Sequence, residues 1–193
     1  MQRRLFLRNT VGLTAGAAVL SACTTTGPDT AQRDPAARRT EIDAGADAAL
    51  QRLYSAAPTA RETVGRARGV LVFPRVIEGG FGIGGEIGDG VLRVGGRPNG
   101  YYRLAAGSLG WQIGAQSKAV VIVFNTQEAL DRFLASKGWT AGADASVALA
   151  RIGANAEIDT LTAQRPVVGY ALTNAGLYAG ATIDGSKITR LSL

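Results

Sequence analysis

Past Gly69 the chain is a series of short β-branched and aromatic runs, punctuated by Asp89-Gly90, Asn99-Gly100 and Asp184-Gly185. These dipeptides accept the positive φ angles of tight hairpin turns. Repeated along one chain, the pattern restricts the fold to a largely antiparallel sheet. The runs are 70–73, 80–87, 91–94, 101–104, 111–115, 119–124, 167–172, 177–183 and 187–191. Asp89-Gly90 is expected to turn 80–87 into 91–94, and Asp184-Gly185 to turn 177–183 into 187–191. With 26 glycines against 5 Phe, 5 Tyr and 2 Trp, the backbones should pack closely, and the sheet can curl into a barrel.

Two helices precede these runs. From Arg38, Thr40 and Asp43 stand at capping-box spacing, and Ile42, Ala46, Ala49, Leu50 and Leu53 recur every three or four residues. Pro58 ends this helix. Thr59 and Glu62 make a second capping box, and the short helix after it closes at Gly69 as a C′ glycine. A third helix interrupts the strands. Asn125 or Thr126 caps it, Ala129, Leu130, Phe133 and Leu134 form its buried face, and Gly138 closes it. The fold class expected is α+β: a Gly-rich antiparallel sheet, with two N-terminal helices and one inserted helix.

The N-terminus has a different grammar. Residues 1–9 are basic, 10–20 are apolar but too short to span a bilayer, and Ser21-Ala22 are small. That is the layout of a cleavable secretory signal over residues 1–22. Leu20-Ser21-Ala22-Cys23 resembles a lipobox, which makes Cys23 the acylation site: its thiol alone can carry a thioether-linked diacylglycerol. Arg3-Arg4-Leu5-Phe6-Leu7-Arg8 resembles the twin-arginine export motif, with general export as the alternative. Thr24 stands where an acidic residue would favour inner-membrane retention, so the outer membrane is the expected destination. Residues 23–37 are polar with two prolines and read as a flexible tether; residues 38–193 form the folded domain.

Composition removes several functions. Without Arg3, Arg4 and Arg8 the chain keeps 18 basic against 15 acidic side chains, too mild a balance for nucleic acid. There is no His, so the commonest general base and metal ligand is missing and no hydrolase triad can be assembled. Asp43 and Asp47 share a helix face but read as solvated charge rather than a metal site. Gly80-Phe81-Gly82-Ile83-Gly84-Gly85 spells GxGxxG, yet no helix follows to receive a pyrophosphate. It reads instead as a strand kept bare for close backbone approach. No catalytic residue, metal or cofactor is expected.

Arg61, Arg66, Arg68 and Arg75 cluster around the second helix and the first strand. Beside an amphipathic helix such a group can dock anionic headgroups; the other reading is a solvated face with Arg stems over apolar surface.

Ala67-Arg68-Gly69-Val70-Leu71-Val72-Phe73-Pro74, Gly79 to Gly85, Gly114-Ala115-Gln116 and Gly176-Leu177-Tyr178-Ala179-Gly180 together resemble the SYLF domain, in consistent order from about Ala49 onward. The resemblance implies a lipid-binding module. Eukaryotic members bind phosphoinositides through a basic, amphipathic N-terminal part and some bind actin, which an exported chain would not meet; bacterial members are often small lipoproteins. Carried onto this chain, that part covers residues 49–73, with Arg52, Arg61, Arg66 and Arg68 as its basic residues. Ala175 stands where members often have a Lys, and Ser117-Lys118 where an acidic residue is common. The function expected is a non-catalytic, membrane-anchored lipoprotein of the cell envelope that faces the periplasm and binds anionic phospholipid. The alternative is a structural lipoprotein that docks another envelope protein.

Overall fold

The computed structural model describes residues 34–110, 116–150, 160–173, 176–177 and 183–193. Their order is α1 (Pro35–Ala56), α2 (Ala60–Arg66), β1 (Gly69–Val94), β2 (Arg97–Gly110), β3 (Gln116–Phe124), α3 (Gln127–Ala135), β4 (Trp139–Thr140), β5 (Ala148–Leu149), α4 (Thr160–Ala163), β6 (Val167–Thr173), β7 (Gly176–Leu177) and β8 (Lys187–Arg190). The strands form one sheet in the order β4-β8-β2-β1-β3-β6-β5, with β7 on β6. Every pair is antiparallel except β5 with β6, so the fold is α+β with a mixed, curled sheet.

The helices start and stop for local reasons. Asp34 caps α1 by accepting from the Ala36 amide at 3.0 Å, and Pro35 occupies the first helical position, where its missing N–H costs nothing. The helix therefore begins before Arg38, and Thr40 is no cap: its hydroxyl donates back to the Ala36 carbonyl at 3.0 Å. Thr59 makes no side-chain cap because it already has helical dihedrals; backbone bonds such as Arg61 N–H to the Pro58 carbonyl at 3.1 Å close that turn. Gly69 does not terminate α2. It opens β1, where a Cβ would come within 2.8 Å of the Leu130 side chain. Thr126, rather than Asn125, caps α3 by accepting from the Ala129 amide at 3.3 Å. Leu130 and Phe133 are buried but Leu134 is exposed, so the buried face of α3 is narrower than the sequence pattern suggested.

Two of the three expected glycine turns lie inside strands. Asp89 and Gly90 pair with Arg103 and Tyr102 in the middle of the β1–β2 ladder. The connection is made by Gly95 and Gly96, at φ +58° and +78°, directly between the paired Val94 and Arg97. Two positive φ values are what a two-residue type I′ loop requires. Gly100 pairs with Leu92 while Pro98 pairs with Arg93, so Asn99 is the extra residue of a bulge. Asp184-Gly185 does turn, with Gly185 at φ +81° and the Ser186 amide on the Ile183 carbonyl at 3.0 Å. The strand it leads into, β8, pairs with β2 and β4. The predicted run at 111–115, and 178–182 of the run before the turn, lie outside the described residues.

β1 explains why so much glycine is needed. Its first half, 69–78, pairs with β3 and its second half, 82–94, with β2. Held straight, residues 73 and 90 would lie about 55 Å apart at ~3.3 Å per residue. Yet a Cβ on Gly90 would sit 2.5 Å from the Phe73 ring and 2.4 Å from the Val72 carbonyl oxygen, and one on Gly88 would sit 2.7 Å from that of Arg75. The strand therefore bends back until its halves touch, and only glycine allows that approach. The contact falls at Gly88 and Gly90. At Gly85, within the GxGxxG stretch, a Cβ would meet only the Ala106 carbonyl oxygen at 3.5 Å.

Both faces of the sheet are buried. Val70, Val72, Val91, Val121, Val123, Val168 and Tyr170 pack on one side with Ala46, Ala49 and Leu53 of α1. Leu71, Phe73, Leu92, Val120, Ile122 and Phe124 pack on the other with Leu130 and Phe133 of α3 and Trp139. Phe133 lies 5.0 Å from Phe124 and 5.7 Å from Trp139 between ring centroids. A strand buried on both faces alternates apolar with apolar, which is why 119–124 reads as an unbroken hydrophobic run.

Candidate functional site

Arg52, Arg61, Arg66 and Arg68 are all exposed, at the end of the sheet where α1 finishes and α2 begins. Arg52 lies off the buried stripe of α1. Arg61 stacks its guanidinium 4.4 Å from the centroid of the Tyr54 ring. Burial pushes the Tyr54 phenol up, against the opposing charges of Arg61 and Arg93. Arg66 bonds Glu62 at 2.6 Å one helical turn away, with both side chains about 70% exposed (71% and 70%). A pair so solvated contributes little and leaves the guanidinium available to another anion. Arg68 is fixed by its backbone, which donates to the Phe124 carbonyl at 2.8 Å and ties it to the end of β3. The result is four outward cations with Glu62 interspersed, on a helix-and-strand scaffold.

Arg75 does not join them. It lies beyond the point where β1 pairs Phe73 with Val120, about 23 Å of extended strand past Arg68. Proximity in sequence misleads here because a strand rises more than twice as far per residue as a helix.

Three polar groups carry roles that the sequence pattern did not expose. Asp89 of β1 is bracketed by Arg38 of α1 and by Arg103 of β2, which donates from Nε at 2.8 Å. Burial alone would raise this carboxyl, but the hydrogen bonds and charges of Arg103 and Arg38 outweigh it and hold it below its ordinary value. Arg93 donates to Asp47 at 2.6 Å and to the Asp43 carbonyl at 3.1 Å, while the Tyr101 hydroxyl donates to the Asp43 carboxylate at 2.8 Å. Asp43 and Asp47 thus fasten α1 to the sheet rather than standing as free solvated charge. Burial, the Asp43 hydrogen bond and its charge together push the Tyr101 phenol up.

Third, Lys118 of β3 is only 8% exposed and meets Glu86 at 2.7 Å and Glu78 at 3.9 Å. The two carboxylates come from opposite halves of the bent β1, so one ammonium holds the bend closed. A lone Lys between Ser117 and Ala119 gives no sequence signal of such partners, because they lie 32 and 40 positions away. None of these groups is arranged as a nucleophile with a base.

Comparison with known proteins finds a family match in the C-terminal part of the chain. Residues 105–192, from mid-β2 through β8, match the family model described as Ysc84, Las17-binding protein actin regulator. An SH3 domain-containing protein of Schizosaccharomyces pombe is 30% identical over 127 residues, covering 61% of this chain and 29% of that protein. SH3 domain-containing YSC84-like protein 1 of Xenopus laevis is 28% identical over 130 residues, covering 65% of this chain and 38% of that protein. The chain spans about a third of the length of these relatives. None of the four arginines falls within 105–192.

Proposed function

Taking as premise that residues 105–192 are a Ysc84-type, or SYLF, domain, we propose that the chain is a non-catalytic, membrane-anchored lipoprotein that binds anionic phospholipid through Arg52, Arg61, Arg66 and Arg68. The anchor in this reading is Cys23, and the location is the periplasmic face of the envelope, at the outer membrane. The observation that carries the lipid reading is the state of the four arginines: outward, supported by Tyr54 and the β3 end, and balanced by Glu62 alone within α2. Clustered cations near an anionic surface each contribute about 1 kcal/mol, weakened by salt.

Co-sedimentation of residues 34–193 with phosphatidylglycerol-containing vesicles tests this, since Asp34–Leu193 forms a compact unit of its own. Binding at low salt should disappear at high salt and in Arg61→Glu/Arg66→Glu/Arg68→Glu. Equal binding by the triple variant would remove the arginines from the reading. The family description names a protein target, which favours docking of an envelope protein as a second reading. Salt-independent absence of vesicle binding would put that reading first.

A further inference from the structure

We infer that the opposite end of the domain, a bare row centred on Ile77 and Ile87, is the surface that rests on the bilayer holding the anchor. The inference rests on the Cys23 half of the proposed function and not on the arginines.

Among the described residues, Ile77 and Ile87 are large apolar side chains left 42% and 50% exposed. Successive strand residues point to opposite faces. Their neighbours Glu78 and Glu86 both reach Lys118, so the two isoleucines point away from that lysine, toward the face that carries α1. In register, Ile87 lies opposite Ala105 and Ile77 opposite Ser117, both exposed. The next step outward is as bare, since a Cβ on Gly79 or Gly107 would meet nothing within 4 Å. Among the described residues, neither isoleucine belongs to either core cluster.

The chain's own geometry says what lies against it. Arg38, in the first turn of α1, binds Asp89, two residues along the same face from Ile87. The α1 N-terminus at Pro35 therefore sits beside the row. From Cys23 to Asp34 the sequence runs 11 residues, which bounds their separation at about 40 Å of fully extended chain. An acylated Cys23 would tether the domain to lipid through the chain that enters at this end. The charge around it fits a headgroup layer: Arg39 and Arg75 are exposed, and Arg38 and Arg103 share the single carboxylate of Asp89. The arginine surface at the far end of α1, about 33 Å away for a 22-residue helix, is then left free of that bilayer.

The test uses the acylated full chain in phosphatidylcholine vesicles, which offer the four arginines no anionic lipid to bind. Cys23 is the only cysteine, and acylation blocks its thiol, so an environment-sensitive fluorophore can be placed at Ile87→Cys or, for comparison, at Arg97→Cys at the other end of the sheet. Position 87 should shift to the blue on reconstitution and be quenched by nitroxide-bearing lipid, and position 97 should do neither. Replacing Ile77 with Ser should reduce the shift at 87. A water-like signal at 87 in an acylated chain would overturn the inference alone. So would a shift without lipid that grows with protein concentration, which would mark a second copy as the occupant. A chain whose Cys23 carries no acyl group by mass would overturn both the anchor and this inference.

Discussion

The two ends of the domain solve the problem of charge in opposite ways. At the α2 end, Arg52, Arg61, Arg66 and Arg68 stand in water, and their one internal ion pair, Arg66 with Glu62, is about as exposed as a pair can be. At the bent end of β1, Lys118 and Glu86 are withdrawn from water and Asp89 partly so, each bonded across separate elements. Solvated charges hold their shape weakly and remain open to a ligand. Buried ones are locked to each other and define the fold. Charge at the first end is therefore free for function, and charge at the second fixes the architecture.

Removing Lys118 should break the second end most severely. Lys118→Ala leaves Glu86 buried without its cation, and the loss of one member of a buried pair costs about 3–5 kcal/mol. Urea denaturation measures it, and Glu86→Gln in the same background should recover part of the loss.

Gly90→Ala comes next. Its Cβ would strike the Val72 carbonyl oxygen at 2.4 Å, a backbone atom that cannot step aside, so the cost should sit at the top of the ~1–3 kcal/mol range for overpacking. Gly107→Ala, with nothing within 4 Å, should be within about 0.5 kcal/mol of the wild type. Equal effects at the two glycines would show that the halves of β1 do not touch.

Asp89 gives the comparison a pH axis. Because its folded-state value lies below the unfolded one, its contribution is present above about pH 4 and is lost as pH falls through the folded value. The wild type should therefore lose stability more steeply than Asp89→Asn on acidification below pH ~4, followed by chemical denaturation. Parallel curves would mean that Arg38 and Arg103 do not act on this carboxylate.

The smallest effect belongs to the first end. Arg61→Glu/Arg66→Glu/Arg68→Glu should move stability by less than about 1 kcal/mol, since exposed pairs contribute ~0.2–1 kcal/mol each. A loss comparable to that of Lys118→Ala would mean that these arginines support the fold and are not reserved for a ligand.

The sequence by itself determined what short-range chemistry determines. The stripe from Ile42 to Leu53, the turn at Asp184-Gly185, the α3 cap and the α+β class were all legible, because helical periodicity and turn dihedrals are set by residues a few positions apart. The exposure of the four arginines follows the general rule that Arg is almost never fully buried unless paired. What only the tertiary structure decided is where distant strands meet. Asp89-Gly90 and Gly95-Gly96 satisfy the same turn preference, and the choice between them fell to the register with β2 and to the room needed against Val72 and Phe73. Asp89 could be recognised as a locked charge only once the β1–β2 register set Arg103 at 2.8 Å, and Lys118 only once β1 had bent to bring Glu86 to 2.7 Å. A Coulombic contact depends on distance in space, and a bent strand makes that distance independent of separation along the chain.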